Sequence, residues 1–431
     1  MKARPASVVR RREVFGWAMF DFANQAYTLL IITVIFGDLF TRVIVGDGPD
    51  YRLGNLLWGL ALGISYALVL IAAPLIGAWM DFSGARKRFL MISWLVTVVA
   101  TAGLYFVEPG WVLFAMALVI VSNFGYALGE SIIAAYLPDL GPPERLGWIS
   151  GLGWALGYVG GLAATAVALS VLGETSADNY DRVRWVGPIA AAFFLLAAIP
   201  TFVFLRDFAR RRRLSSSLGA ALAWRRLRST LAELNHRPQL MALMVSVFFV
   251  MAGIAIVVSF TFLYGAQVIG WSETTRVQMF VITQVTAIIG ALAFGWLQDR
   301  IGPVRVYRGV LLLWVVTVIG VVATPVLAGL LEWVLAREVA AEQVFLLMGA
   351  LAGLSLGSAQ SAGRTLVGLL VQPQESGRWF GVWGLSAKAA AIFGLIGVGL
   401  LQWAVGLAYA ILFCAVLFIA GFVAAGRIGR L

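Results

Sequence analysis

The chain has 431 residues, 61% of them hydrophobic and only 12% charged, with a formal net charge of +11. No soluble domain of this length can hide so much apolar surface, so lipid is the expected solvent. One cysteine, Cys414, and one histidine, His236, exclude an internal disulfide and a His/Cys metal cluster, and no cofactor is expected.

The N-terminal MKARPASVVRRRE is basic and runs into a long apolar stretch with no small-residue cleavage site, which predicts a retained first span. A crossing helix needs about 20 apolar residues. Twelve runs reach that length, at 15–41, 55–80, 88–107, 111–138, 147–172, 186–206, 239–268, 275–298, 305–328, 343–371, 378–401 and 403–425. The even number puts both termini on one side, and most of the 32 lysines and arginines lie on that side. That asymmetry marks it as cytoplasmic. The bases therefore face an anionic lipid leaflet, and no nucleic-acid partner is expected.

The expected layout is a basic tail 1–14, a six-helix bundle 15–206, a basic linker 207–238, a second bundle 239–425 and a tail 426–431. Within the linker, ALAWRRLRSTLAEL can form a surface helix with Trp224 inward and Arg225, Arg226 and Arg228 toward headgroups. A plain solvated linker is the alternative. In the fifth run, Gly153, Gly157 and Gly161 recur every four residues beside Gly160, the pattern of a close helix-packing face.

One stretch occurs twice. GAWMDFSGARKR (Gly77–Arg88) and GWLQDRIGPVR (Gly295–Arg305) share Gly, Asp, Gly and a base at equal offsets. The matched residues are Gly77, Asp81, Gly84 and Lys87 in the first copy, and Gly295, Asp299, Gly302 and Arg305 in the second. Arg86 and Arg88 flank Lys87, and Arg300 stands where the first copy has Phe82. Each copy joins two apolar runs, which predicts an internally duplicated protein with two pseudo-symmetric bundles. A simple basic turn accounts for the glycines and bases but not for the matched aspartates. These are expected to cap a neighbouring helix or bond the local bases, biasing one conformation.

A charge at the centre of a membrane helix costs about 2.5–3.5 kcal/mol, so each needs a reason. Four are present: Asp21, Glu130, Arg364 and Lys388. At 1.5 Å per residue all four fall roughly 9–15 Å from the cytoplasmic ends of their helices. Both acids belong to the first half and both bases to the second. One use is a ligand site, with the acids holding an ammonium and the bases a carboxylate. Another is a latch between the halves. A third is a coupling proton on Asp21 or Glu130. The bland alternatives are a fixed ion pair and, for Asp21, service to a helix dipole.

Supporting polar residues are Asn24 and Gln25 beside Asp21, Asn123 seven before Glu130, Gln284, and Gln360 on the face of Arg364. Among aromatics that can stack on a cation, Tyr27, Trp154 and Tyr158, only Tyr158 has a positional argument. Aligning Gly147-x-x-x-Gly151 with Gly377-x-x-x-Gly381 sets it opposite Lys388.

The twelve runs, the basic central linker and the loop repeated after runs 2 and 8 resemble the major facilitator superfamily. WAMFDFANQAY (Trp17–Tyr27), LPDLGPPERLGWISGLGWALGYVGG (Leu137–Gly161) and ESGRWFGVWGLSAKAAAIFG (Glu375–Gly394) are similar to its vacuole-effluxer-like branch. That branch groups fungal autophagy-related amino-acid effluxers with bacterial relatives. The resemblance implies an all-α integral membrane protein of twelve helices and a secondary transporter, not an enzyme. It implies a monomer in a bacterial inner membrane that works by alternating access. The implied cargo is a small polar or zwitterionic solute, an amino acid first, moved outward. Amphiphilic or drug-like cargo, or a non-transporting protein on the same fold, are the alternatives. G-x-x-x-x-G-K-[ST] is absent, so a gradient or solute flow is the expected energy source.

Overall fold

The computed structural model describes residues 10–46, 52–173, 178–207, 228–230 and 232–429. The side chain of Asp81 and the linker residues Trp224, Arg225 and Arg226 lie outside the described set. All regular structure among the described residues is helical. Among the described residues, twelve helices are long and apolar enough to cross a membrane. In chain order they are α1 (Arg11–Val45), α2 (Leu53–Gly77), α3 (Arg86–Phe106), α4 (Val112–Asp139), α5 (Pro143–Leu172) and α6 (Tyr180–Phe204). There follow α7 (Pro238–Tyr264), α8 (Thr274–Ile301), α9 (Pro303–Val322), α10 (Ala341–Leu370), α11 (Pro373–Val405) and α12 (Leu407–Ala425). The fold is thus that of an all-α membrane protein.

Local chemistry explains where helices start, change and stop. Glu13, in the first turn of α1, accepts the Arg10 N–H at 2.9 Å and pairs with Arg206 at 3.3 Å. The winding of α1 then changes from α to π over Tyr27–Val34. The run expected to end at 328 stops at Val322, and its apolar text continues as a separate helix, Thr324–Leu335. Pro325 in that first turn has no N–H to extend the preceding ladder. Between α11 and α12, Gln402 and Trp403 stay helical. The break falls at Gly406, whose φ of +78° suits glycine.

The described chain forms two compact units. Unit 1 takes Met1–Pro142, Leu156–Arg228 and Val371–Leu385, and unit 2 takes Pro143–Ala155, Ser229–Leu370 and Ser386–Leu431. Helices α5 and α11 are therefore shared out, and glycines explain how. In unit 2, a Cβ on Gly151 of α5 would strike the Ala291 carbonyl of α8. In unit 1, a Cβ on Gly160 of the same helix would strike the Phe22 carbonyl of α1. The other shared helix does the same. In unit 1, a Cβ on Gly77 would meet the Gly377 carbonyl of α11, and in unit 2 one on Gly394 would meet Ala252 of α7. Small residues let these backbones touch, and dispersion over the contact holds them.

Candidate functional site

The duplicated loops both turn at their second shared glycine. Gly84 has φ +65° and Gly302 φ +95°, values that other residues rarely adopt, so the third shared position requires glycine. The first shared glycine, Gly77 or Gly295, supplies the close approach to α11 or α5 within its own unit.

In unit 2, the Asp299 carboxylate accepts the N–H groups of Gly147 and Trp148, each at 3.0 Å. These donors belong to the first turn of the α-helical part of α5, where backbone N–H groups lack helical partners and the dipole favours an anion. Asp299 therefore caps a helix about 150 residues away. The bases of this copy turn elsewhere: Arg300 lies over the Trp296 ring at 4.0 Å, and Arg305 donates to the Ile301 carbonyl at 3.4 Å.

In unit 1, Arg86 is 1% exposed and its guanidinium joins three segments. It donates to the Asp139 carboxylate at 2.8 Å, the Ala135 carbonyl at 3.4 Å and the Pro373 carbonyl at 2.6 Å. Ser376 also donates to the Ala135 carbonyl, at 2.8 Å. Tyr136 donates to Asp207 at 2.8 Å, and Asp207 accepts the Lys87 N–H at 2.9 Å. Lys87 Nζ reaches the Leu205 carbonyl at 2.8 Å, whereas Arg88 is exposed. Val304 occupies the place of Arg86 in the second copy, so the buried arginine belongs to the first copy alone.

The four intramembrane charges divide between the units. Asp21 and Glu130, both half-buried, lie in unit 1 with the buried Asn24 and Tyr158. Two contacts set the register of α1 on α4: Trp17 Nε1 donates to the Ile133 carbonyl at 2.7 Å, and Tyr27 meets Ser122 at 2.8 Å. Because these helices run antiparallel, that register sets Asp21 and Glu130 at one level. Gln360, Arg364 and Lys388 lie in unit 2. Arg364 is buried and held: Nε donates to Ser150 Oγ at 3.1 Å, and Nη2 to the Ser150 carbonyl at 2.9 Å. Its guanidinium sits over the Trp154 ring at 5.3 Å. Ser150 in turn donates to the Ser361 carbonyl at 2.9 Å. Ser150, Asp139 and Ser376 had no signal in the sequence strong enough to single them out, since a lone serine in a membrane helix reads as a small packing residue.

Twelve spanning helices, two alike loops and two helices shared between units define a multi-pass membrane transporter of the major facilitator type. The chain belongs to the vacuole effluxer Atg22-like family, whose model matches residues 59–146 and 144–428. The uncharacterized MFS-type transporter YxiO of Bacillus subtilis (strain 168) is 23% identical over 384 residues, 88% of this chain and 86% of that protein. The multidrug resistance protein MdtG of Dickeya zeae (strain Ech586) is 26% identical over 315 residues, 72% and 71% of the two chains. The E. coli fucose:proton symporter FucP shares the fold with a TM-score of 0.72 at 15% identity, over 99% of this chain and 100% of that one. A bacterial homologue of the iron transporter ferroportin in an outward-facing state gives a TM-score of 0.71 at 16% identity, over 97% and 98%. The protein is a transporter and not an enzyme.

Proposed function

We propose that the protein exports a small zwitterionic solute, an amino acid first, from the cytoplasm across a bacterial inner membrane. It acts as a monomer with the basic loops and both termini on the cytoplasmic side. The observation that carries this reading is the segregation of intramembrane charge. Residues 14–41, 53–85 and 89–144 contain no Lys, Arg or His but hold Asp21 and Glu130. Residues 343–374 and 376–405 contain no acid but hold Arg364 and Lys388. A solute ammonium suits the first set, with Asn24 and Tyr158 beside it. Within unit 2, Lys388, with Gln360 as an amide partner, suits a carboxylate. Arg364, already engaged by Ser150 and Trp154, fits the latch better than the ligand site. Asp21 and Glu130 are the candidates for a coupling proton. Outward direction draws support from the effluxer family to which the chain belongs.

The test is counterflow in proteoliposomes loaded with mixed amino acids and probed with labelled ones singly. Exchange of at least one amino acid is expected, with more than tenfold loss in Lys388→Ala. No exchange of any amino acid would sink the proposed cargo. A second reading, amphiphilic cargo, is favoured by the relative named as a multidrug resistance protein. Exchange of a labelled lipophilic cation in the same vesicles, without amino-acid exchange, would establish it.

A further inference from the structure

We infer that unit 1 holds a binding site for a small monovalent cation, formed by the Asn123 amide oxygen and the Ser65 hydroxyl between α2 and α4. Asn123 is fully buried, and its amide N–H donates to Ser65 Oγ at 3.0 Å. Its Oδ1 has no hydrogen-bond partner among the described residues, and neither has Oδ1 of the buried Asn24 on α1. A buried amide oxygen without a donor is costly, so a hydrogen-bond donor or a cation is favoured there.

Several nearby hydroxyl protons are already committed. Ser122 donates to the Val119 carbonyl at 3.2 Å, which leaves Tyr27 as donor in the Tyr27–Ser122 bond of 2.8 Å. Thr28 donates to Tyr126 at 2.8 Å. Hard monovalent cations are coordinated by amide, hydroxyl and carboxylate oxygens. A neutral amide or hydroxyl oxygen does not take up a proton near neutral pH, so this site is distinct from proton uptake on a carboxylate.

Two further features point the same way. Asn123, Tyr126 and Glu130 fall at i, i+3 and i+7, on one face of α4, and Asn24 follows Asp21 by three on α1. The sequence of these helices between 14 and 41, 53 and 85, and 89 and 144 holds no base, so their own field is negative around the oxygens. Moreover, α1 is π-helical over Tyr27–Val34, beginning at the residues that bond α4, and such widened turns are frequent at functional sites.

The same coordination serves an alkali ion or the ammonium of a solute. The experiment separates them. The full-length protein in nanodiscs is melted while sodium, lithium, potassium or methylammonium chloride replaces choline chloride at constant ionic strength. At least one of these cations is expected to raise Tm saturably over choline. A response to an alkali ion assigns an ion site, and a response to methylammonium alone assigns the ammonium of a solute. Ser65→Ala and Asn123→Leu should each raise the half-saturating concentration at least tenfold. Asn123→Asp should lower it, and it reads the site even if Asn123→Leu fails to fold. Identical melting in every salt would overturn the inference. An unchanged half-saturation in Ser65→Ala and Asn123→Asp would overturn it equally.

Discussion

Arg86 and Asp139 are 1% and 4% exposed at the side chain, and their contact at 2.8 Å is a buried ion pair. Desolvating both charges is expensive, so the pair adds little net stability over apolar residues, but removing one partner strands the other. Arg86→Met or Asp139→Asn alone should cost about 3–5 kcal/mol. Arg86→Met with Asp139→Leu should recover most of that loss, read as Tm by tryptophan fluorescence. A double variant as unstable as the sum of the singles would place the energy in the bonds from Arg86 to the Ala135 and Pro373 carbonyls. For Asp299, the lost interaction is a cap on α5. Asp299→Ala should cost about 0.5–2 kcal/mol by thermal melting, with Asn milder than Ala because it keeps an acceptor. These two residues stand in the duplicated loops yet differ in kind, one closing a charge pair and the other a helix end. The sequence marked the glycines and aspartates because their offsets are local. Their partners were not legible: Asp299 reaches 152 residues back to Gly147, and Arg364 reaches 214 back to Ser150. No local pattern encodes a contact over such separations.

Helices α5 and α11 are the elements on which the two units both draw. Their glycines do more than fill space, since the partner backbones lie where a Cβ would be. Gly160→Leu should displace α1 from α5 and lower Tm by well over the effect of Gly59→Ala, where nothing lies near a Cβ. At the loop glycines the conflict is conformational. Gly84→Ala and Gly302→Ala place Cβ on a backbone with positive φ, at about 1–3 kcal/mol each. The spans themselves were legible as apolar length, because lipid demands an unbroken hydrogen-bonded helix. Their ends were less so. Pro325 divides one apolar run into two helices, and Gly406, not the polar Gln402, ends α11. Apolar text is equally compatible with either end point, and the backbone preference of one residue decides.

On the scale of the whole molecule, the proposed cycle requires contacts near the basic loops to part and re-form. Interlocks of this kind are built into each unit, as Arg86 and Ser376 in unit 1 and Asp299 and Arg364 in unit 2 illustrate. If Glu130 carries the coupling proton, Glu130→Gln should abolish uptake driven by a pH gradient and leave exchange intact. Unchanged gradient-driven uptake would remove Glu130 from that role. The most direct measurement follows from the single native cysteine, Cys414, which is buried and leaves a quiet background. Cysteines placed at Trp148 and Asp299, which meet at an exposed contact within unit 2, are joined by a short reducible thiol cross-linker, and counterflow is measured before and after reduction. Alternating access predicts exchange that stops on cross-linking and returns on reduction. Full exchange with the cross-link in place would show that this contact never opens and would contradict the account.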